Sequence, residues 1–294
     1  LGGAVEAIEY LKSRLVDANA ERIGRIEAGD TVVVGVNKYE HGEASPLTSG
    51  REAIMVADAD AEADQVARLL AWRQSRDEPA VQAALDELRS ACAKGRNVMP
   101  PSLAAARAGA TTGEWGDVVR GVFGQYRAPT GVARAPSNRT EGLDEIRAAV
   151  DAVSARLGER LKFLVGKPGL DGHSNGAEQI ASRARDAGMD ITYEGIRLTP
   201  SEIVAAAKET GAHVVGLSIL SGSHLPLIEE TLTELNAAGL GEVPLVAGGI
   251  IPADDTKRLL AMGVARVYTP KDFELNRIMF DVVALADPAA VAAE

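Results

Sequence analysis

One cysteine, Cys92, stands in 294 residues. Its isolation excludes a disulfide framework and any metal site built from several thiolates, and it fits a reducing, cytoplasmic compartment. Long apolar runs are also missing. None reaches the roughly 18 residues needed to span a bilayer, so no membrane role is expected. Leu1-Gly2-Gly3-Ala4 leads straight into a helical pattern, with no basic region before an apolar one. We therefore expect no signal peptide here and a start inside a longer polypeptide. Positive charge is scarce: 31 Lys and Arg face 42 Asp and Glu, a formal net charge of −11. No basic cluster is dense enough for nucleic acid. Apolar residues, by contrast, make up 46% of the chain, enough to fill one large domain or two ordinary ones.

Helical spacing of Ala, Leu, Ile and charged residues predicts a helix over residues 4–28, stopped by Gly29-Asp30. Thr31 to Val36 reads as a short buried strand, and Asn37 to Ser49 as a polar loop. Residues 60–95 read as helical, Asn97 to Pro101 as a break, and the stretch up to Phe123 as further short helices. Arg127 to Arg139 holds two prolines and a glycine with little apolar content, the composition of a linker. A helix from Leu143 to Leu157 follows. From Lys162 the texture changes to strand–helix alternation. The apolar runs are 163–166, 191–193, 213–218, 244–247 and 265–268. The helical patterns between and after them are 177–187, 200–210, 225–238, 253–262 and 273–286. Continuous apolar strands alternating with helices predict an α/β fold: a five-stranded, doubly wound parallel sheet of flavodoxin-like order, preceded by a mainly helical segment.

In open sheets of this kind ligands bind beyond the carboxyl ends of the strands. The first strand is followed by Lys167 and Asp171-Gly172-His173-Ser174-Asn175-Gly176. The third ends in Ser218-Ile219-Leu220, the fourth in Gly248-Gly249, and the fifth in Tyr268-Thr269. Gly166, Gly169, Gly172 and Gly176 do not form G-x-G-x-x-G, and no G-x-x-x-x-G-K-[ST] occurs, which disfavours a phosphate cradle. The glycines instead clear room: Gly248-Gly249 and the small Ser218 would leave a slot that a flat ring could enter. His173, one of only four histidines, lies two residues after Asp171. A carboxylate beside an imidazole fixes its tautomer and raises its basicity, which suits a metal ligand. With no cysteine or carboxylate cluster beside it, the metal must bring its other ligands, which points to a macrocycle.

Asp171-x-His173-x-x-Gly176, Ser218-x-Leu220 and Gly248-Gly249, in that order and each at a strand end, resemble the D-x-H-x-x-G…S-x-L…G-G signature of cobalamin-binding domains. The stretches KFLVGKPGLDGHSNGAEQIA, GLSILSGSHLPL and GGIIPADD resemble the C-terminal domain of acyl-CoA mutases of the methylmalonyl-CoA mutase family. Lys167-Pro168-Gly169-Leu170 and Ser174-Asn175 depart from the K-M-G-x-D-G-H-D-R-G form in the direction of ethylmalonyl-CoA mutases. IEAGDTVVVGVNKYEHGEASPL resembles the last strand of those enzymes' substrate (β/α) barrel. The resemblance implies a barrel remnant over 1–50, a helical linker region over 51–158 and a cobalamin-binding domain over 159–294. It further implies adenosylcobalamin as cofactor, with His173 as lower ligand to cobalt. Asp171 and Lys167 would support that histidine. The nucleotide tail would enter a slot lined by Ser218, Leu220, Gly248 and Gly249, with Tyr268 and Thr269 at its mouth and Gly172 and Gly176 as further cofactor-binding residues. The implied activity is that of an isomerase, a radical carbon-skeleton rearrangement of ethylmalonyl-CoA to methylsuccinyl-CoA or of methylmalonyl-CoA and succinyl-CoA. The acyl-CoA partner would sit in a barrel largely absent from this chain, which is expected to bind cobalamin without turning substrate over. The full-length form is expected to be a homodimer.

Other readings stand beside these. Asp171 also suits an Asx turn, Lys167 a solvated surface, and Gly248-Gly249 an ordinary turn. His224 is placed either near the cofactor's side chains or as a surface cap. His41 and His213 read as structural, Cys92 as packed on a helix face, and Trp72 and Trp115 as core or linker anchors. The acidic run Asp58 to Asp64 reads as a solvated helix start. A stand-alone cobalamin carrier, or a small subunit paired with a separate barrel subunit, is the alternative function. A phospho-receiver of the same topology is disfavoured, because Ser218 stands where it would need an aspartate.

Overall fold

The computed structural model describes residues 2–39, 59–127, 129–130, 142–272 and 274–287. His41, Asp58 and most of the expected linker lie outside the described residues. The chain divides into two compact units, Glu43–Tyr126 on the one hand and Leu1–Gly42 with Arg127–Glu294 on the other.

Among the described residues the smaller unit is helical, with α2 (Ala59–Ser75), α3 (Glu78–Ala93), α4 (Met99–Ala108) and α5 (Thr112–Phe123). Local chemistry starts and stops them. Asp77 accepts the Ala80 N–H at the head of α3, and Gly109, at φ 99°, ends α4 in the left-handed region that favours glycine. Pro100 and Pro101, read above as part of a break, sit in the first turn of α4. The N–H groups they lack are ones a first turn leaves unpaired anyway. Val81, Leu85, Leu88, Cys92, Ala105 and Val118 form this unit's core. Trp72 and Trp115 are not in it: each is partly exposed and makes one indole N–H bond, to the Gly109 carbonyl and the Ser102 hydroxyl respectively.

The larger unit begins with α1 (Ile8–Glu27), ended by Ala28 and Gly29 (φ 78°). The strand expected at Thr31–Val36 is not formed. Only an isolated bridge joins Val34 to Lys38, and Val34 is 72% exposed. A strand needs a neighbour to satisfy its amides, and here a side chain takes that place. Asn37 accepts the Val33 N–H and donates to the carbonyls of Ile26 and Thr31, folding the apolar run into a turn.

After α6 (Leu143–Leu157) come β1 (Lys162–Gly166), α7 (Asn175–Asp186), β2 (Asp190–Tyr193), α8 (Pro200–Thr210) and β3 (Val214–Ser218). They continue into α9 (His224–Ala237), β4 (Leu245–Gly248), α10 (Ala253–Ala261), β5 (Arg266–Tyr268) and α11 (Leu275–Leu285). The five strands are parallel in the order β2-β1-β3-β4-β5. Period-two alternation sends Phe163, Val165, Val214 and Val246 to one face, against α6, α7 and α11. Leu164, Val215, Leu217, Leu245 and Ala247 go to the other, against α8, α9 and α10. The order reverses between β1 and β3, and the carboxyl ends of those two strands and of β4 define one rim.

Candidate cofactor site

Three side chains from the loop after β1 form a chain of polar contacts on that rim. Lys167, 0% exposed, reaches under the loop and donates from Nζ to Asp171 Oδ2 at 2.7 Å and to the Ser218 carbonyl at 3.2 Å. Asp171 Oδ2 also accepts the Leu220 N–H at 3.0 Å. Its Oδ1 accepts the His173 N–H at 3.0 Å and meets His173 Nδ1 at 2.7 Å. Burial works against the ionised carboxyl, but the Lys167 ammonium and the His173 and Leu220 donors overcome it and hold Asp171 well below the usual carboxylate range. A carboxylate accepts only, so the shared proton sits on His173 Nδ1, and Nε2 is the ring nitrogen left to meet a ligand. The His173 side chain is 78% exposed, and its Nε2 has no hydrogen-bond partner among the described residues. Of the two readings of Lys167, the solvated one is therefore excluded, and the side chain joins Asp171 and His173. Its ammonium is buried because the carboxylate and a strand-end carbonyl replace water around it.

Beside this chain lies a cavity of about 320 Å³. Gly176, Ser218, Leu220, Gly248, Gly249, Tyr268 and Thr269 all line it, whereas Lys167, Asp171, Gly172 and His173 stand on the rim outside its lining. The two glycines act differently. A Cβ on Gly249 would lie 1.8 Å from the Ile219 carbonyl oxygen, so backbone contact excludes every other residue. At Gly248 the nearest atom to such a Cβ would be 3.9 Å away, and at Gly176 nothing lies within 4 Å. Those two positions leave open space that side chains would fill. The hydroxyls of Tyr268 and Thr269 are committed elsewhere, to Asp281 and Asp272. Burial and the neighbouring Asp281 push the Tyr268 phenol up.

Part of the lining carries no motif. Phe163, Val165 and Val246 enter from the sheet, Ile278 and Val282 from α11, and Asn19 and Ile23 from α1. Strand alternation could have found the first three; nothing in the sequence marks the last two. Of the remaining histidines, His213 accepts the Lys162 N–H and is structural, as read. His224 is buried, with Nε2 3.0 Å from Asp255 Oδ2, so it is not a surface cap. Among the described residues no group of three or more His, Cys, Asp or Glu could hold a metal ion.

The cavity and rim fit a large cofactor that carries its own metal ligands. They offer one outward imidazole nitrogen beside a side-chain-poor slot.

Comparison with known proteins agrees. Residues 1–125 match the methylmalonyl-CoA mutase family, and residues 161–272 match the B12 binding domain. An ethylmalonyl-CoA mutase of Cereibacter sphaeroides is 69% identical over 294 residues, covering 100% of this chain and 45% of the relative. One of Methylorubrum extorquens is 54% identical over 291 residues, 98% of this chain and 42% of the relative. A methylmalonyl-CoA mutase of Cereibacter sphaeroides is 34% identical over 276 residues, 92% of this chain and 38% of the relative. The chain thus spans less than half the length of these curated relatives.

Proposed function

Since the chain belongs to the methylmalonyl-CoA mutase family and carries a B12 binding domain, we propose that it is the cofactor-binding part of an adenosylcobalamin-dependent acyl-CoA mutase. The substrate we assign is ethylmalonyl-CoA, rearranged to methylsuccinyl-CoA. The greater identity to ethylmalonyl than to methylmalonyl enzymes supports that choice. In this reading residues 1–50 are the end of a substrate barrel, 51–158 a connecting region and 159–294 the cobalamin-binding domain, within a cytoplasmic homodimer.

The observation that carries the reading is the Lys167–Asp171–His173 chain at the mouth of the cavity. Cobalamin would supply the radical that begins a carbon-skeleton rearrangement. The protein's own residues do the rest. His173 would hold cobalt through Nε2, and Asp171, at 2.7 Å from Nδ1, would leave Nε2 facing outward. Lys167 keeps Asp171 ionised and pins it to the end of β3. Gly176, Gly248 and the small Ser218 would leave space for the nucleotide tail, while Gly249 lets the β4 end approach the Ile219 backbone. Lys167 and Asp171 are positioning residues.

Titrating the protein with adenosylcobalamin and recording the visible spectrum tests this. One equivalent is expected to bind and to give the spectrum of a histidine-ligated form, which His173→Ala abolishes. The same spectrum and affinity from both proteins would remove His173 from the metal.

A further inference from the structure

Helix α1 belongs to the stretch that matches the mutase family rather than the B12 binding domain, yet two of its residues line the cavity. Its contacts fall on one face. Lys12, Val16, Asn19, Ile23 and Glu27 are spaced four, three, four and four residues apart, a single helical stripe. Near the start of the stripe, Lys12 Nζ meets Glu178 Oε1 at 2.6 Å and Ser174 Oγ at 3.1 Å. Ser174 adjoins His173, and the Glu178 side chain is only 3% exposed. In the middle, the Val16 carbonyl accepts from Gln179 Nε2 at 3.1 Å. At the end, Glu27 accepts from Arg183 at 3.2 Å and from the Leu275 N–H at 2.8 Å.

Asn19 and Ile23 lie between these attachments, which hold them against the cavity. The rest of the lining is largely apolar, and Gln179, one of its few amides, donates to Val16. The Asn19 carboxamide has no hydrogen-bond partner among the described residues. It offers two donors and an acceptor to whatever enters.

We propose that α1 is the outer wall of the cofactor slot and that Asn19 hydrogen-bonds the nucleotide tail of the bound cobalamin. This rests on the reading under Proposed function. The slot is then a composite of two sequence regions. The B12-binding region supplies the metal ligand, the sheet and the glycines, and the mutase region supplies a wall and a polar anchor.

The test compares two corrinoids on the same protein: cobalamin, and cobinamide, which has the corrin ring but no nucleotide tail. Asn19→Ala is expected to weaken cobalamin binding about fivefold, the loss of one hydrogen bond, and to leave cobinamide binding unchanged. Equal weakening of both, or of neither, overturns the proposal. Ile23→Trp supplies a second reading should Asn19→Ala change the circular dichroism. Its added bulk is expected to cut cobalamin affinity at least tenfold and spare cobinamide, and an unchanged cobalamin affinity contradicts the wall. If the unaltered protein binds neither corrinoid, the parent reading fails, whatever Asn19 does.

Discussion

Asp171 accepts from four donors: the Lys167 ammonium, the His173 N–H and imidazole, and the Leu220 N–H. Removing its charge while keeping its shape separates two roles. Asp171→Asn leaves a fully buried ammonium without a counter-ion, and stability is expected to fall by about 3 kcal/mol in urea denaturation. Lys167→Met added to it should recover part of that loss, because the uncompensated charge goes too; a further fall would show that the pair is not coupled. His173 and Asp171 were legible in the sequence, because two residues apart in a glycine-rich turn they point to an imidazole held by a carboxylate. The burial of Lys167 was not. Nothing local distinguishes a solvated lysine from one that folds under its own loop, since the carbonyl that helps to hold it belongs to Ser218, 51 positions away.

Among the elements, the clearest readings were those with both punctuation and a partner. Helix α6 falls on 143–157, as its pattern predicts, between Gly142 and Gly158, which have φ of 80° and 78°. Thr31–Val36 had the composition of a strand but no neighbour to pair with, and composition cannot report a neighbour. The slot's glycine pair was visible at the end of β4, but the different duties of its members were not, because Ile219 meets only one of them. Gly248→Val is therefore expected to fold, to melt within a few degrees of the parent and to lose cobalamin affinity at least tenfold. Gly249→Ala is expected to fail in folding. A soluble Gly249→Ala protein with normal binding, measured by gel filtration and titration, would contradict the close approach.

A pH prediction belongs to α5. Arg76 grips Glu114 with two hydrogen bonds of 2.6 and 2.8 Å, while Glu114 also accepts the Thr111 N–H at the helix start. The Arg76 bonds, opposed by burial and aided by Thr111, lower the Glu114 carboxyl from 4.5 to about 2. The sign follows from linkage: the stabilisation is complete above the ordinary carboxylate range and is lost as pH falls toward 2. The difference in melting temperature between the parent and Glu114→Gln should be full at pH 6, shrink below pH 4.5 and vanish near pH 2. A pH-independent difference would assign Glu114 a purely steric role.

At the scale of the whole molecule, the chain covers 45% of the Cereibacter relative, and the proposed function assigns the substrate to residues beyond the matched part. The purified chain is expected to bind cobalamin yet form no methylsuccinyl-CoA from ethylmalonyl-CoA, whereas a protein extended to the relatives' length should form it. The doubly wound sheet was legible because each strand is a continuous apolar run. The wall contributed by α1 was not, because a helix carries no sequence mark of which distant surface it will cover. The proposed function depends on His173 Nε2 being the ligand to cobalt. Electron paramagnetic resonance of the bound cob(II)alamin form, with the protein's histidines labelled with nitrogen-15, measures it directly. Each line split threefold by unlabelled protein should become twofold on labelling, and the splitting by protein nitrogen should be absent in His173→Ala. A threefold splitting that survives the label would mean that the cofactor's own base remains on the metal and that His173 is not its ligand.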